Sequence, residues 1–331
     1  MASIKEVVLE ILAQDPTLDN ETVADMVRAR VDGATTTAAS VSSIKSIARK
    51  NGELSEPDVH FTSGERHNAF GVPESVGEDE ASIRARLTKR FATLDRMTGH
   101  VIGGMLPSLI ISGPAGLGKS FGIRKALRHA EQESGLKFDM ISGSITAVGL
   151  YIALWNMRDG GVVVLDDCDD VFRDETTLNI LKAALDSGDE RVISWRKKSS
   201  WLKDEGIDDR FEFRGRVVFL TNVDFEAVVA SGRADAVHFK ALMDRSLYLN
   251  LTLRTLDDYM VRINQVAVEG GMLAKDHGLT EAQVAEIIEF VSVNRTRFYH
   301  LSLRLLHQIA IVYKTSDQWR EDLEVTKMRV Y

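Results

Sequence analysis

The run GPAGLGKS, Gly113 to Ser120, follows the apolar stretch LIIS and precedes FGIRKALRHA, which has helical spacing. It fits the pattern G-x-x-x-x-G-K-[ST] through Gly113, Gly118, Lys119 and Ser120. Glycines at those points let the main chain curl until successive N–H groups face inward. A helix starting there aims the positive end of its dipole into the same bowl. Such a bowl suits the phosphates of a nucleotide, so Gly113, Pro114, Ala115, Gly116, Leu117, Gly118, Lys119, Ser120 and the following Phe121 are the candidate binding residues. Lys119 is expected at the β and γ phosphates, and the Ser120 hydroxyl on Mg²⁺.

Around this loop, apolar runs of strand length alternate with helical patterns: LIIS, then a helix over 119–134; KFDMIS, then 147–157; VVVL, then 175–187; RVVFLT, then a helix ending near Asp244; and finally SLYLNL. Alternation of this kind predicts an α/β fold with a parallel sheet between helices. After Leu253 the pattern is purely helical, with a capping box TEAQ at 280–283 and a third helix over 299–314. The expected organisation is a small all-helical domain over 1–50, a linker over 51–80 rich in Gly, Pro, Ser and acids, the α/β domain over 81–253, a helical lid over 254–315 and a tail over 316–331.

With 331 residues, 44% of them hydrophobic, the chain can bury its own core without staples, and its one cysteine, Cys168, excludes an internal disulfide. No apolar run approaches the ~20 residues that span a bilayer, and MASIKEVVLEILAQDP lacks the features of a signal peptide. No membrane association is expected. A cytoplasmic location is, in the host if a phage encodes the chain. The net charge of -8 argues against a surface that coats nucleic acid throughout. Local basic patches remain. The third N-terminal helix, burying Val41, Ile44 and Ile47, shows Lys45, Arg49 and Lys50 among serines on its other side, a helix-turn-helix pattern. That face suits DNA phosphates; an interaction module with a solvated face has the same pattern.

A magnesium nucleotide also needs a carboxylate on a neighbouring strand. GGVVVLDDCDD supplies one, with Asp166 at the strand tip as the Mg²⁺ residue and Asp167 placed to orient or deprotonate a water. Asp169 and Asp170 are read as solvated loop charge or as N-terminal acids of the next helix. A third strand, RVVFLTN, ends in Asn222, whose amide is able to donate with one end and accept with the other.

In this order the motifs resemble the AAA+ ATPase superfamily over roughly residues 85–315: GPAGLGKS as Walker A, VVVLDD as Walker B, LTN as sensor 1, and a helical lid. The resemblance implies ATP with Mg²⁺, Mg-dependent hydrolysis, and a homo-oligomer, typically a hexameric ring. It also implies that Arg245 is an arginine finger acting on the neighbouring subunit's nucleotide, and that Arg304 is sensor 2. One departure is Asp167, where the family usually has the longer Glu, so the chain is either a motor or a slow, nucleotide-gated switch.

Between the helix after Walker B and sensor 1 lie RVISW and RFEFRG, expected as two strands joined by an arm that carries Arg196, Lys197, Lys198 and Trp201. A basic arm with an aromatic suits a nucleic-acid strand, and a subunit contact suits it equally. The whole is similar to phage or mobile-element machinery for replication, recombination or packaging acting on DNA. An assembly regulator like the Mu-type transposition target selectors and a protein remodeller are the alternatives.

Overall fold

The computed structural model describes residues 3–14, 20–31, 35–37, 40–41, 44, 48, 72–73, 76–186, 190–196, 202, 204–233 and 235–329. Contacts divide the chain into two units, Met1–Glu65 and Arg66–Tyr331. In the first, α1 (Ile4–Gln14) and α2 (Asn20–Arg30) pack Val7, Val8, Ile11 and Leu12 against Val23, Ala24, Val27 and Val41. This is the apolar stripe that the 3.6-residue period predicts. Ile4, at the start of α1, is exposed. Lys45, Arg49 and Lys50 of the expected third helix lie outside the described residues, as do Lys197, Lys198 and Trp201 of the arm and most of the expected linker.

The second unit is built on a parallel sheet of five strands, β1 (Ser108–Ser112), β2 (Phe138–Ser142), β3 (Val162–Asp166), β6 (Arg216–Thr221) and β7 (Leu247–Asn250), in the order β2-β3-β6-β1-β7. The central strands are apolar throughout because both sheet faces are covered. Alternate residues divide between two cores. Leu109, Ile111, Val164 and Val218 face one side, with α3 (Glu80–Ile102), α4 (Lys119–Ser134) and the C-terminal helices. Ile110, Val163, Leu165 and Phe219 face the other, with α5 (Ala147–Asn156) and α6 (Glu175–Ala184). This is the layout of a P-loop nucleotide-binding fold. The expected hairpin is present as an antiparallel pair, β4 (Val192–Ser194) with β5 (Arg210–Glu212), in which Ile193 faces Phe211.

Before β7 the chain makes two helices where the sequence suggests one, α7 (Phe225–Ala230) and α8 (Ala236–Arg245). The C-terminal part is all helical: α9 (Leu256–Ile263), continued as a π-helical segment Asn264–Glu269, then α10 (Met272–His277), α11 (Glu281–Val293), α12 (Leu303–Thr315) and α13 (Trp319–Lys327). The capping box forms as expected, with Thr280 and Gln283 bonding each other's backbone. Helix α12 starts at Leu303 rather than 299, because the Ser302 hydroxyl accepts the Leu305 N–H at 3.1 Å and so ends the extended run before it. The last stretch is a packed element: Trp319, Leu323 and Met328 are buried in the same core as α12. Among the described residues no helix is long and apolar enough to cross a membrane.

Candidate functional site

Register places Ser112 beside Thr221 and Asp166 beside Leu220, so the carboxyl ends of β1, β3 and β6 form one rim. In open α/β sheets that rim is where ligands bind. Three short segments leave it toward each other: the loop 113–118, the turn at Asp167, and Asn222.

The loop adopts the expected curl. Gly116 and Gly118 have φ of 76° and 89°, left-handed values that side chains other than glycine rarely take. Lys119 opens α4 and is 6% exposed. Its Nζ donates to the carbonyls of Gly113 and Pro114, the latter at 2.9 Å, and to Asn222 Oδ1 at 3.3 Å. Burial pulls the ammonium below its ordinary pKa, while Asp167, Asp166 and Asp169 oppose that shift. Phe121, in the first turn of α4, is exposed.

Asp166 is buried at the tip of β3, and its Oδ1 accepts the Ser120 hydroxyl at 2.7 Å. Two hard oxygen donors in contact fit Mg²⁺, which takes one or two protein ligands and fills its octahedron with water and phosphate oxygens. Among the described residues no group of three or more His, Cys, Asp or Glu is placed to hold a metal without such help. Asp167 is the one described non-glycine residue with positive φ, 55°. Aspartate tolerates this region better than most residues, and the turn is held by Asp167 N–H donating to Leu220 O at 2.9 Å. Its carboxylate accepts Asn222 Nδ2–H at 2.9 Å. Asn222 therefore bridges Lys119 and Asp167, using both ends of its amide.

Two further residues stand out, one at this rim and one behind the loop. Asp169 opens the 3₁₀ turn Asp169–Phe172 and is thus an N-terminal acid of the next helical segment, one of its two expected readings; it is half-buried rather than solvated, and its Oδ1 accepts the Thr221 hydroxyl at 2.6 Å. Its acidity is weakened chiefly by burial, with Asp167 adding to the effect and the Thr221 bond opposing it. The neighbouring Asp170 is exposed, as expected. The other residue is Arg262 of α9. Its guanidinium lies 3.3 Å from the Phe91 ring centroid, makes a long 3.5 Å contact to Leu117 O, and has a buried Nε with no partner. Burial pulls it down to about 10. A single Arg in an amphipathic helix gives no sign of this in sequence. For Asp169 a sign existed, an acid three residues after the strand-tip aspartate.

The lid rests directly on the loop. Leu303 N–H donates to Gly116 O at 2.9 Å, and a Cβ built on Gly116 would lie 2.7 Å from Ser302 Cβ. This seat brings Arg304, in the first turn of α12, beside the loop. With His300 and Gln308 it lines a cavity of about 270 Å³ that opens onto Ala115 and Gly116. Arg245 is elsewhere. It ends α8 with Nη1 donating to Ala241 O at 3.0 Å, and its own carbonyl accepts Ser108 Oγ at the opposite end of β1 from the loop. Four strand steps of ~3.3 Å put it ~13 Å from the rim, so it is not assembled with this chain's other candidates.

No protein-family model matches the chain. Over 249 residues it is 38% identical to an uncharacterized 36.7 kDa protein from the nrdC-mobD intergenic region of Enterobacteria phage T4, covering 75% of this chain and 76% of that protein. Similar solved structures include a RuvB mutant from Thermotoga maritima (14% identity, 73% of this chain and 69% of that one, TM-score 0.42). Others are NtrX from Brucella abortus in complex with ATP (17%, 95% and 68%, TM-score 0.42) and Drosophila ORC bound to DNA (14%, 83% and 69%, TM-score 0.39).

Proposed function

Since the chain belongs to the same family as the 36.7 kDa phage T4 protein, we propose from its own residues that it is a Mg-dependent ATPase of AAA+ type. The observation that carries this reading is the continuous set Ser120–Asp166 and Lys119–Asn222–Asp167 at one rim, closed over by the lid. Loop amides and Lys119 bind the triphosphate. Ser120 and Asp166 would hold Mg²⁺, which would offset the charge of the β and γ phosphates. Asp167, kept in place by Asn222, orients the attacking water and takes its proton. Arg304 approaches the phosphates from the lid of the same chain.

Arg245 needs a second copy. Lying ~13 Å from its own rim, it is proposed to reach the nucleotide of a neighbouring protomer in a homo-oligomeric ring, taken to be a hexamer. A guanidinium placed against the charge that develops on the γ phosphate is worth about 10³ or more in rate. DNA is the proposed partner, met by Lys45, Arg49 and Lys50 and by the arm 196–201, in the cytoplasm, that of the host if a phage encodes the chain. The test is phosphate release from ATP with and without Mg²⁺ and DNA. Steady turnover stimulated by DNA supports the reading, and no turnover under any of these conditions overturns it.

A second reading, a nucleotide-gated assembly switch, is favoured by the short Asp167 in its left-handed turn. In that case turnover is slow, and assembly observed by light scattering rises with a nonhydrolysable analogue and decays as ATP is consumed.

A further inference from the structure

Burying a carboxylate costs several kcal/mol unless something holds it, yet Asp169 is half-buried on the rim. The one hydrogen bond its side chain receives among the described residues comes from Thr221 at 2.6 Å. Thr221 Oγ1 in turn accepts the Val223 N–H at 2.9 Å, and Ser112 Oγ donates to Val223 O at 2.7 Å. Both chain neighbours of Asn222 are thus pinned, one by Asp169, the other by Thr221 and Ser112. What stays outside this lock is the Asn222 side chain, which spans Lys119 and Asp167.

A core position asks for nothing of this kind, since an apolar residue beside Thr221 would pack without a desolvation cost. We propose that Asp169 and Thr221 are positioning residues for the reaction, setting the turn that aims Asn222 between Lys119 and Asp167. The inference rests on the hydrolytic reading given above. Asp169 touches neither nucleotide nor metal in this scheme. It acts through Thr221, so its loss leaves nucleotide binding nearly intact and slows the chemical step. The charged groups facing its carboxylate are Lys119, Asp167 and Arg173. An uncharged acceptor in the same place serves the lock equally well.

The experiment compares the full chain with Asp169→Ala, Asp169→Asn, Thr221→Val and Thr221→Ser. It measures kcat for ATP, Kd for a nonhydrolysable ATP analogue, and the thermal midpoint. Losing one hydrogen bond to a charged group, worth about 1.5 to 3 kcal/mol, corresponds to roughly 10- to 100-fold. Asp169→Ala is expected to lower kcat by that factor, and Thr221→Val, which also removes the acceptor of the Val223 N–H, by at least as much, each with Kd changed less than about threefold. The amide oxygen of Asp169→Asn and the hydroxyl of Thr221→Ser keep the bond, so both should recover most of the rate.

A merely structural bond predicts the opposite division, lower midpoints with kcat unchanged, and that result overturns the proposal. So does a rate that Asp169→Asn fails to restore while Asp169→Ala remains folded. Should Asp169→Ala not fold, the Thr221→Val and Thr221→Ser pair decides, and equal rates for those two overturn it. If the unaltered chain binds the analogue but releases no phosphate, it is the hydrolytic reading that has failed, and the positioning role falls with it. Normal turnover in the unaltered chain and in all four variants removes the positioning role alone.

Discussion

Replacing Gly116 with alanine tests the contact on which the seating of the lid depends. The position has φ of 76°, and the new methyl would stand 2.7 Å from Ser302 Cβ and 3.1 Å from its hydroxyl. A left-handed conformation costs an L-residue about 1 to 2 kcal/mol, and forcing atoms into a filled space costs about 1 to 3. Moving Ser302 aside also strains the 2.9 Å bond from Leu303 N–H to Gly116 O, worth about 1 kcal/mol. The lower part of that range, about 3 kcal/mol, lowers the unfolding midpoint by ~6 °C for a unit of this size. Gly122 is the control. It lies in the same helix start, and a Cβ there meets nothing within 4 Å. Gly122→Ala should leave the midpoint unchanged or raise it by ~2 °C, since alanine is the better helix former. Differential scanning calorimetry of both variants reads this directly. A Gly116→Ala chain as stable as Gly122→Ala would falsify the close seating of Ser302 on the loop.

Asp167→Asn keeps a side chain able to bond Asn222 but not to take a proton. It should bind the ATP analogue within about threefold of the unaltered chain while phosphate release drops by about 10² or more; undiminished release removes Asp167 from the reaction. Arg245→Ala should abolish turnover without changing nucleotide affinity. Mixed with Asp167→Asn chains it should regain activity, because each supplies what the other lacks, and a mixture as inactive as its parts defeats the proposal that Arg245 acts across a subunit boundary. The Cys168 thiol is 3% exposed, and burial pushes it up to about 11. Against an ordinary value of 9.0 this leaves ~100-fold less thiolate near pH 8, so alkylation should require unfolding. Prompt labelling of the folded chain would show that this strand end is more open than described.

Legibility in the sequence followed the range of the forces involved. The loop, the strands and the helix starts are fixed by local geometry: left-handed glycines, runs buried on both faces, caps such as Thr280. These can be read within a few residues. Asp169 is legible as an acid at the start of the next helical turn, but not its bond to Thr221, which is 52 residues away and becomes a neighbour only once β3 and β6 pair. Arg262 stayed hidden for the same reason, since Phe91 and Leu117 reach it through the packing of α9 on α3 and the loop. The start of α12 lies later than expected because the pattern from Tyr299 onward is helical in period, while the Ser302 cap starts the helix at Leu303 and Phe298 is bridged to Met328. The C-terminal stretch looks polar in sequence. Trp319 and Leu323 suffice to anchor it.

The central claim is that a magnesium-chelated triphosphate is clasped where Lys119, Ser120 and Asp166 meet. Isothermal titration of the full chain with a nonhydrolysable ATP analogue addresses it, run with Mg²⁺, with EDTA, and with Lys119→Ala. One saturable site per chain is expected, weakened by at least about tenfold without Mg²⁺ and lost in Lys119→Ala. Binding that ignores both the metal and the lysine, or no binding to the unaltered chain, contradicts it.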